Sequence, residues 1–228
     1  LSIYIYLNGS QIAGSNAGSI DYVTDSPLIK IGTQLNNFNT FSGLIDEFKY
    51  YYRVLSTTEI GNLYEGKTIQ PLLGDRRGTW IRTGSNPEIS LNEVAYWKFD
   101  TSGTTHRDEI NGLLGSTYSG LNLSGGRYLG SSLNIGSPGY VQVNSNSLAL
   151  SGPCSISVWI YPHITSDAVV DYGIVTDNGF LLSLTTFNGG VWYYVNAGGN
   201  NLNNTINTGS WNHVVGTFDG TINASGMK

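Results

Sequence analysis

Residue types that could do chemistry are sparse in this chain, and their spacing limits what they can do. The carboxylates that fall in patterned regions come as adjacent pairs, Asp46-Glu47 and Asp108-Glu109. Glycoside hydrolysis needs two carboxylates facing one bond, about 5–10 Å apart. Neighbours on a strand point to opposite faces, so neither pair meets that need. His106, His163 and His213 are widely scattered, and no Gly-x-Ser-x-Gly turn presents a serine. No Cys/His cluster has zinc-ligand spacing. The expectation is a protein that is not an enzyme. A different chemistry is suggested by Trp192-Tyr193-Tyr194 followed by Asn196, Asn200 and Asn201. Sugar sites pair a flat aromatic surface with amide and carboxylate groups. On one strand Trp192 and Tyr194 share a face, so the candidate ligand-binding set is Trp192, Tyr194, Asn196 and Asn200; the same alternation would also suit a core face. Glycosylation sequons begin at Asn8, Asn122, Asn203 and Asn223.

The elements that must position these residues read as strands. The chain has 228 residues, a net charge of -5 and only 12% charged residues, which argues against a nucleic-acid binder or a solvated helix bundle. Thirty Gly and 15 Tyr, with many Ser, Thr and Asn, give small polar turns between aromatic and β-branched runs. Cys154 is the one cysteine, so an intrachain disulfide is excluded and a buried thiol is expected. No apolar run reaches the ~18 residues of a membrane helix. The chain opens without Met and inside an apolar run, the pattern of a fragment or mature form.

Asn8-Gly9 after residues 1–7 predicts a hairpin, because both residues tolerate positive φ. Strands are predicted at 28–32, 41–52, 94–99, 140–143, 155–161, 180–185, 191–195 and 211–218. Ser56 with Glu59 is a capping box, and Ile60, Leu63 and Tyr64 give the helix behind it an apolar face, ended by Gly66. Residues 67–92 read as a linker, holding Arg76-Arg77 and Trp80-Ile81, and the Gly-rich stretches 112–139 and 196–210 as loops. Trp97, Trp159 and Trp211 are assigned to the core. The fold class is all-β, two antiparallel sheets packed face to face.

Ile5-Tyr6-Leu7-Asn8-Gly9, Ile31-Gly32, Phe41-Ser42-Gly43-Leu44-Ile45-Asp46-Glu47 and Leu55-Ser56-Thr57-Thr58-Glu59-Ile60 form an ordered set. It resembles the closing third of the laminin G-like family of the concanavalin A-like lectin/glucanase jelly rolls. Val94 to Asp100, Asp108 with Asn111-Gly112, Ile156 to Pro162 and Trp211 to Val215 are similar to its opening two-thirds. The order is inverted. Residues 1–66 would be the C-terminal part of such a domain, 67–92 a linker, and 93–228 the N-terminal part. The domain would then close within one chain, by permutation, or between neighbouring copies in a tandem array, and the Ile3–Leu7 strand should lie beside the strand ending at Phe218.

The resemblance implies a concanavalin A-like jelly roll with one short helix, and a structural Ca²⁺ held by Asp46, Asp100, Asp108 and Asn111. Thr101 stands where the family pattern often has Glu, which removes one ligand. The Glu-x-Asp-x-x-Glu strand of the glucanase relatives is absent. The function implied is a non-catalytic module of an extracellular or cell-surface protein, used for adhesion to a glycan or a surface protein. The alternative is a structural repeat subunit of a surface filament or array, self-associating as neighbours complete each other's sandwich. Nucleic acid and a membrane span are not expected.

Overall fold

A hairpin opens the fold. The computed structural model describes residues 2–16, 28–33, 40–66, 93–119, 121–128, 130–136, 138–144, 153–163, 171–177, 180–185, 191–195, 198–202 and 206–219. Strand β1 (Ser2–Leu7) turns through Asn8, at φ 50°, and Gly9, at φ 80°, into β2 (Ser10–Asn16). Next come β3 (Leu28–Ile31), β4 (Gly43–Tyr51) and helix α1 (Thr57–Glu65). The expected linker 67–92 lies outside the described residues. The second part of the chain gives β5 (Glu93–Trp97), β6 (Thr105–Arg107), β7 (Leu114–Tyr118), β8 (Asn122–Gly125), β9 (Ser131–Ile135) and β10 (Tyr140–Asn144). It closes with β11 (Cys154–Pro162), β12 (Asp171–Asp177), β13 (Phe180–Thr185), β14 (Val191–Val195), β15 (Gly198–Leu202) and β16 (Asn212–Phe218).

The strands form two antiparallel sheets. The first runs β2-β1-β16-β11-β4-β9-β8, with β5 also on β4; the second runs β15-β14-β13-β12-β3-β10-β7-β6. Two strands of residues 1–66, β3 and β4, are therefore inserted among strands of 93–228, and the β1-β2 hairpin extends the first sheet at β16. β1 joins β16 with Leu7 opposite Val214 and Ile3 opposite Phe218, the expected neighbour. β4 lies between β11 and β9, and β3 between β12 and β10. The two parts make one sandwich within one chain.

Alternation builds the core. Ile5, Ile45, Phe48, Tyr50, Trp97, Ile156, Val158, Ile160, Val214 and Phe218 face Ile29, Ile31, Val141 and Val143, and Cys154 is buried among them. Truncating a fully buried aromatic such as Trp97 to Ala would cost about 3–5 kcal/mol. A second apolar layer lies on the other side of the first sheet, where Tyr6, Tyr51 and Val215 meet Leu55 and the Ile60 and Leu63 face of α1. The capping box is formed: Glu59 N–H donates to Ser56 Oγ and Ser56 N–H to Glu59 Oε2, and Gly66 ends the helix in the left-handed region at φ 66°.

Several sequence expectations change here. β7, β8 and β9 occupy the stretch 112–139, and β15 part of 196–210, both expected as loops. Small residues hide these strands: Gly115 is required because a Cβ there would meet Val141 Cγ1 at 2.6 Å. Trp159 is buried but does not sit between the sheets. Its neighbours in β11, Val158 and Ile160, take the core, so Trp159 falls on the α1 side, 5.8 Å from Tyr64. Trp211 packs edge-on against Tyr161, not in the core.

Candidate functional site

The second sheet turns Ile29, Ile31, Val141 and Val143 inward, which leaves their neighbours on the other face. Pairing then sets a row across four strands. Lys30 is opposite Gln142, Gln142 is opposite Ser116, and Ser116 is opposite Thr105. Tyr140 is opposite Tyr118, and Leu114 is opposite Arg107 at the edge of the sheet.

The two tyrosines stack almost parallel, 4.7 Å apart at 11°. Tyr140 is 9% exposed and Tyr118 44%, so one ring supports the other and the outer ring meets solvent. The Lys30 ammonium lies 4.9 Å from the Tyr140 ring centre, in range for a cation–π contact. Burial holds its pKa below the ordinary lysine value. β3, β10, β7 and β6 carry no Asp or Glu. An exposed aromatic plane beside amide, hydroxyl and cationic groups can stack a pyranose ring and hydrogen-bond its hydroxyls.

Sequence reasoning missed this pair because Tyr118 and Tyr140 fall in or beside a stretch read as loop. Two tyrosines of equal register on adjacent strands are the signal that could have found them.

Of the expected ligand set, β14 carries Trp192 and Tyr194, and β15 carries Asn200. The backbone register sets Asn201 opposite Trp192, Asn200 opposite Tyr193 and Gly199 opposite Tyr194. Asn196 lies outside the described residues. β14 and β15 end the second sheet opposite the Tyr118 end, with β13, β12, β3 and β10 between.

The expected calcium set falls in two places. Asp46 and Asp100 face one loop between β8 and β9: Asp46 Oδ2 accepts from Arg127 N–H at 2.7 Å and Asp100 Oδ1 from Ser131 N–H at 2.7 Å. Asp46 is 2% exposed, and burial, with repulsion from Glu47 and Asp100, pushes its carboxyl up to about 7. Both carboxylates already accept backbone N–H groups, Asp46 from Glu47 and Arg127 and Asp100 from Ser131. Asp108 does not belong with them. Its carboxylate accepts from the backbone N–H groups of Tyr96, Ile110, Asn111 and Leu113 at 2.7–3.2 Å, and it clamps the turn after β6. Asn111 donates from Nδ2 to the Val94 carbonyl. These two residues are engaged by the backbone and hold the turn to β5. Among the described residues no three His, Cys, Asp or Glu side chains are grouped to hold a metal.

The expected alternation of Asp46 and Glu47 across β4 does not occur. Ile45 and Phe48 both enter the core, and Glu47 takes φ 51°. This bulge sets Asp46 and Glu47 on the same side of β4. Both are nonetheless buried and engaged: Asp46 by two backbone N–H groups, Glu47 by the Tyr96 hydroxyl. Burial also holds Glu47 above the usual carboxylate range, against the pull of Lys49.

The histidines are apart. His163 is exposed, His106 is buried against Phe99, and His213 is buried with Nε2 at 2.8 Å from Ser157 Oγ. Among the sequons, Asn8 sits in the hairpin turn, its Oδ1 accepting from His213 N–H, and Asn122 is exposed at the start of β8. Asn203 and Asn223 lie outside the described residues.

A laminin G family model, described as belonging to the concanavalin A-like lectin/glucanases superfamily, matches residues 2–61 and 136–225. No curated protein and no solved structure is a significant match to the chain.

Proposed function

Because the chain belongs to the laminin G-like family of the concanavalin A-like superfamily, we propose that it is a non-catalytic module of an extracellular or cell-surface protein that holds a glycan against the Tyr118 face. Members of the family are in general lectin-like binding modules without catalysis. The stacked Tyr118–Tyr140 pair carries the reading. A tyrosine supported from behind offers its ring at little conformational cost, and Ser116, Gln142 and Thr105 lie on the same face with donors and acceptors. Trp192 and Tyr194, on one face of β14, belong to the same proposal as a second aromatic surface; Asn200 does not, because its register opposite Tyr193 sets it on the other face.

The test is binding to a panel of soluble polysaccharides by calorimetry. Tyr118→Ala should weaken binding at least tenfold and leave the melting curve intact. Equal binding by the variant would remove this face from the function.

Calcium enters the proposal at Asp46 and Asp100 alone. Asp46 and Asp100 would hold the ion, which would supply positive charge to offset their repulsion beside the loop between β8 and β9. The filament alternative is supported by the insertion of β3 and β4 among later strands and by the pairing of β1 with β16. The same pairings made between chains would link copies into an array. Solution mass separates the two: a monomer of 24.6 kDa fits the module, and a ladder of multiples fits the array.

A further inference from the structure

The Tyr118–Tyr140 stack fixes a direction on its face of the second sheet. The two ring centres lie 4.7 Å apart with the rings nearly parallel, and neighbouring strands lie about 4.8 Å apart. Each ring therefore stands upright over its own strand, in a plane that contains the strand direction. Tyr140 covers one side of Tyr118, and the other side looks across β6. Thr105 is opposite Ser116, and Thr117 N–H donates to the Thr104 carbonyl at 2.8 Å, so Gly103 comes opposite Tyr118. A Cβ at Gly103 would meet nothing among the described residues nearer than Thr105 N, at 4.0 Å. The space before the outer side of the Tyr118 ring is open.

From there a shallow trough follows β6 and β7. Its floor is Thr105 and Ser116, a pair of small, exposed residues. Its far end is the pair Leu114 and Arg107. Leu114 is 58% exposed, more than any other large apolar side chain among the described residues. Alternation puts it on the same face as Ser116 and Tyr118, about 13 Å along the strand from Tyr118. The Arg107 guanidinium lies against Gly112, where a Cβ would meet Nη2 at 2.5 Å.

We propose that this face binds a run of several rings of a linear, uncharged or acidic glycan lying along β6. The inference rests on the glycan reading of the Tyr118 face and adds the form of the ligand. A pyranose stacked on the outer side of Tyr118 shares the plane of that ring, so neighbours joined equatorially extend along the strand. The chain then crosses the Thr105 and Ser116 hydroxyls, which both donate and accept. Further on, the C–H face of another ring meets Leu114, and its polar groups meet Arg107. The span from Tyr118 to Leu114 exceeds the width of one pyranose, so a single sugar does not reach both ends. Lys30 and Arg107, with no Asp or Glu on β3, β10, β7 and β6, set the field against a cationic chain.

Calorimetry on the full chain tests this, with fragments of one to six rings cut from the polysaccharide that binds best. Affinity should climb with length to about the third ring and then level off. Leu114→Ser should lower affinity for the three-ring fragment about fivefold, the effect of losing a partly covered apolar contact, and flatten the climb. Tyr118→Ala should weaken every fragment. A single ring that binds as tightly as the longest fragment overturns the extended site and leaves the glycan reading standing, as does an unchanged climb in Leu114→Ser. If no polysaccharide loses affinity in Tyr118→Ala, both fall.

Discussion

His213 is the most exacting test of the outer layer of the first sheet. Its ring is 1% exposed, lies 4.9 Å from Trp159 and 6.3 Å from Tyr64, and is pushed down to about 3 by burial and by the Lys49 and Arg127 charges. The unfolded chain binds a proton at this residue near 6.5. Between those values the unfolded state holds the extra proton, so the contribution is fully present above about 6.5 and is lost as pH falls toward 3. Falling from pH 7.5 to pH 4 covers about 2.5 of the 3.5 units. At 1.36 kcal/mol per unit, that is a loss of about 3 kcal/mol. In a chain this long it corresponds to about 6–12 °C in Tm. His213→Gln removes the titration. Other groups contribute: His106 is also held low, whereas Asp46 and Glu47 are held high and act in the opposite sense. These are the same in both proteins, so they cancel in the difference. The measurement is Tm from pH 4 to pH 8 for both proteins, with chelator present. The variant should be less stable at pH 7.5, having lost the ring stacking, and the gap should close by about 6–12 °C at pH 4. Parallel curves would show that His213 is not held neutral by its surroundings, and the argument would fail.

Asp108→Ala removes the acceptor of four backbone N–H groups and should cost at least about 3 kcal/mol by urea titration; a loss under 1 kcal/mol would mean that the turn is held by other contacts. Ser56→Ala breaks the capping box and should cost about 1 kcal/mol, a drop of about 2–4 °C in Tm. At pH 8, Ca²⁺ at a hundredfold excess over its Kd should add about 2.7 kcal/mol, reversed by chelator and absent in Asp100→Asn. Identical wild-type melts with Ca²⁺ and chelator would remove the ion from the proposal.

What could be read from the sequence was what short-range physics writes. Asn8-Gly9 and the Ser56–Glu59 box act over two to four residues, and both are formed as expected. The family pattern also placed β1 beside β16, a pairing across the whole chain. Strands of small residues were not legible: Leu114–Tyr118 reads as loop because Gly115 is set by close packing against Val141 and Ser116 is an exposed small polar residue. With β7 went Tyr118, and with it the platform. The bulge at Glu47 was equally hidden, since strict alternation cannot foresee an inserted residue.

The interleaving of the two parts has a consequence for synthesis. β1 acquires its second neighbour only when β16 exists, because Leu7 pairs with Val214. At about 5–20 residues per second, roughly 10–40 s pass between them. Throughout that interval the ribosome carries an unpaired strand edge with Tyr4, Ile5 and Tyr6 on it, the kind of edge that recruits other nascent chains. Folding dominated by such distant pairings is slow once release occurs. Yield in a cell should therefore depend on chaperone capacity and translation rate more steeply than the stability of the finished sandwich suggests.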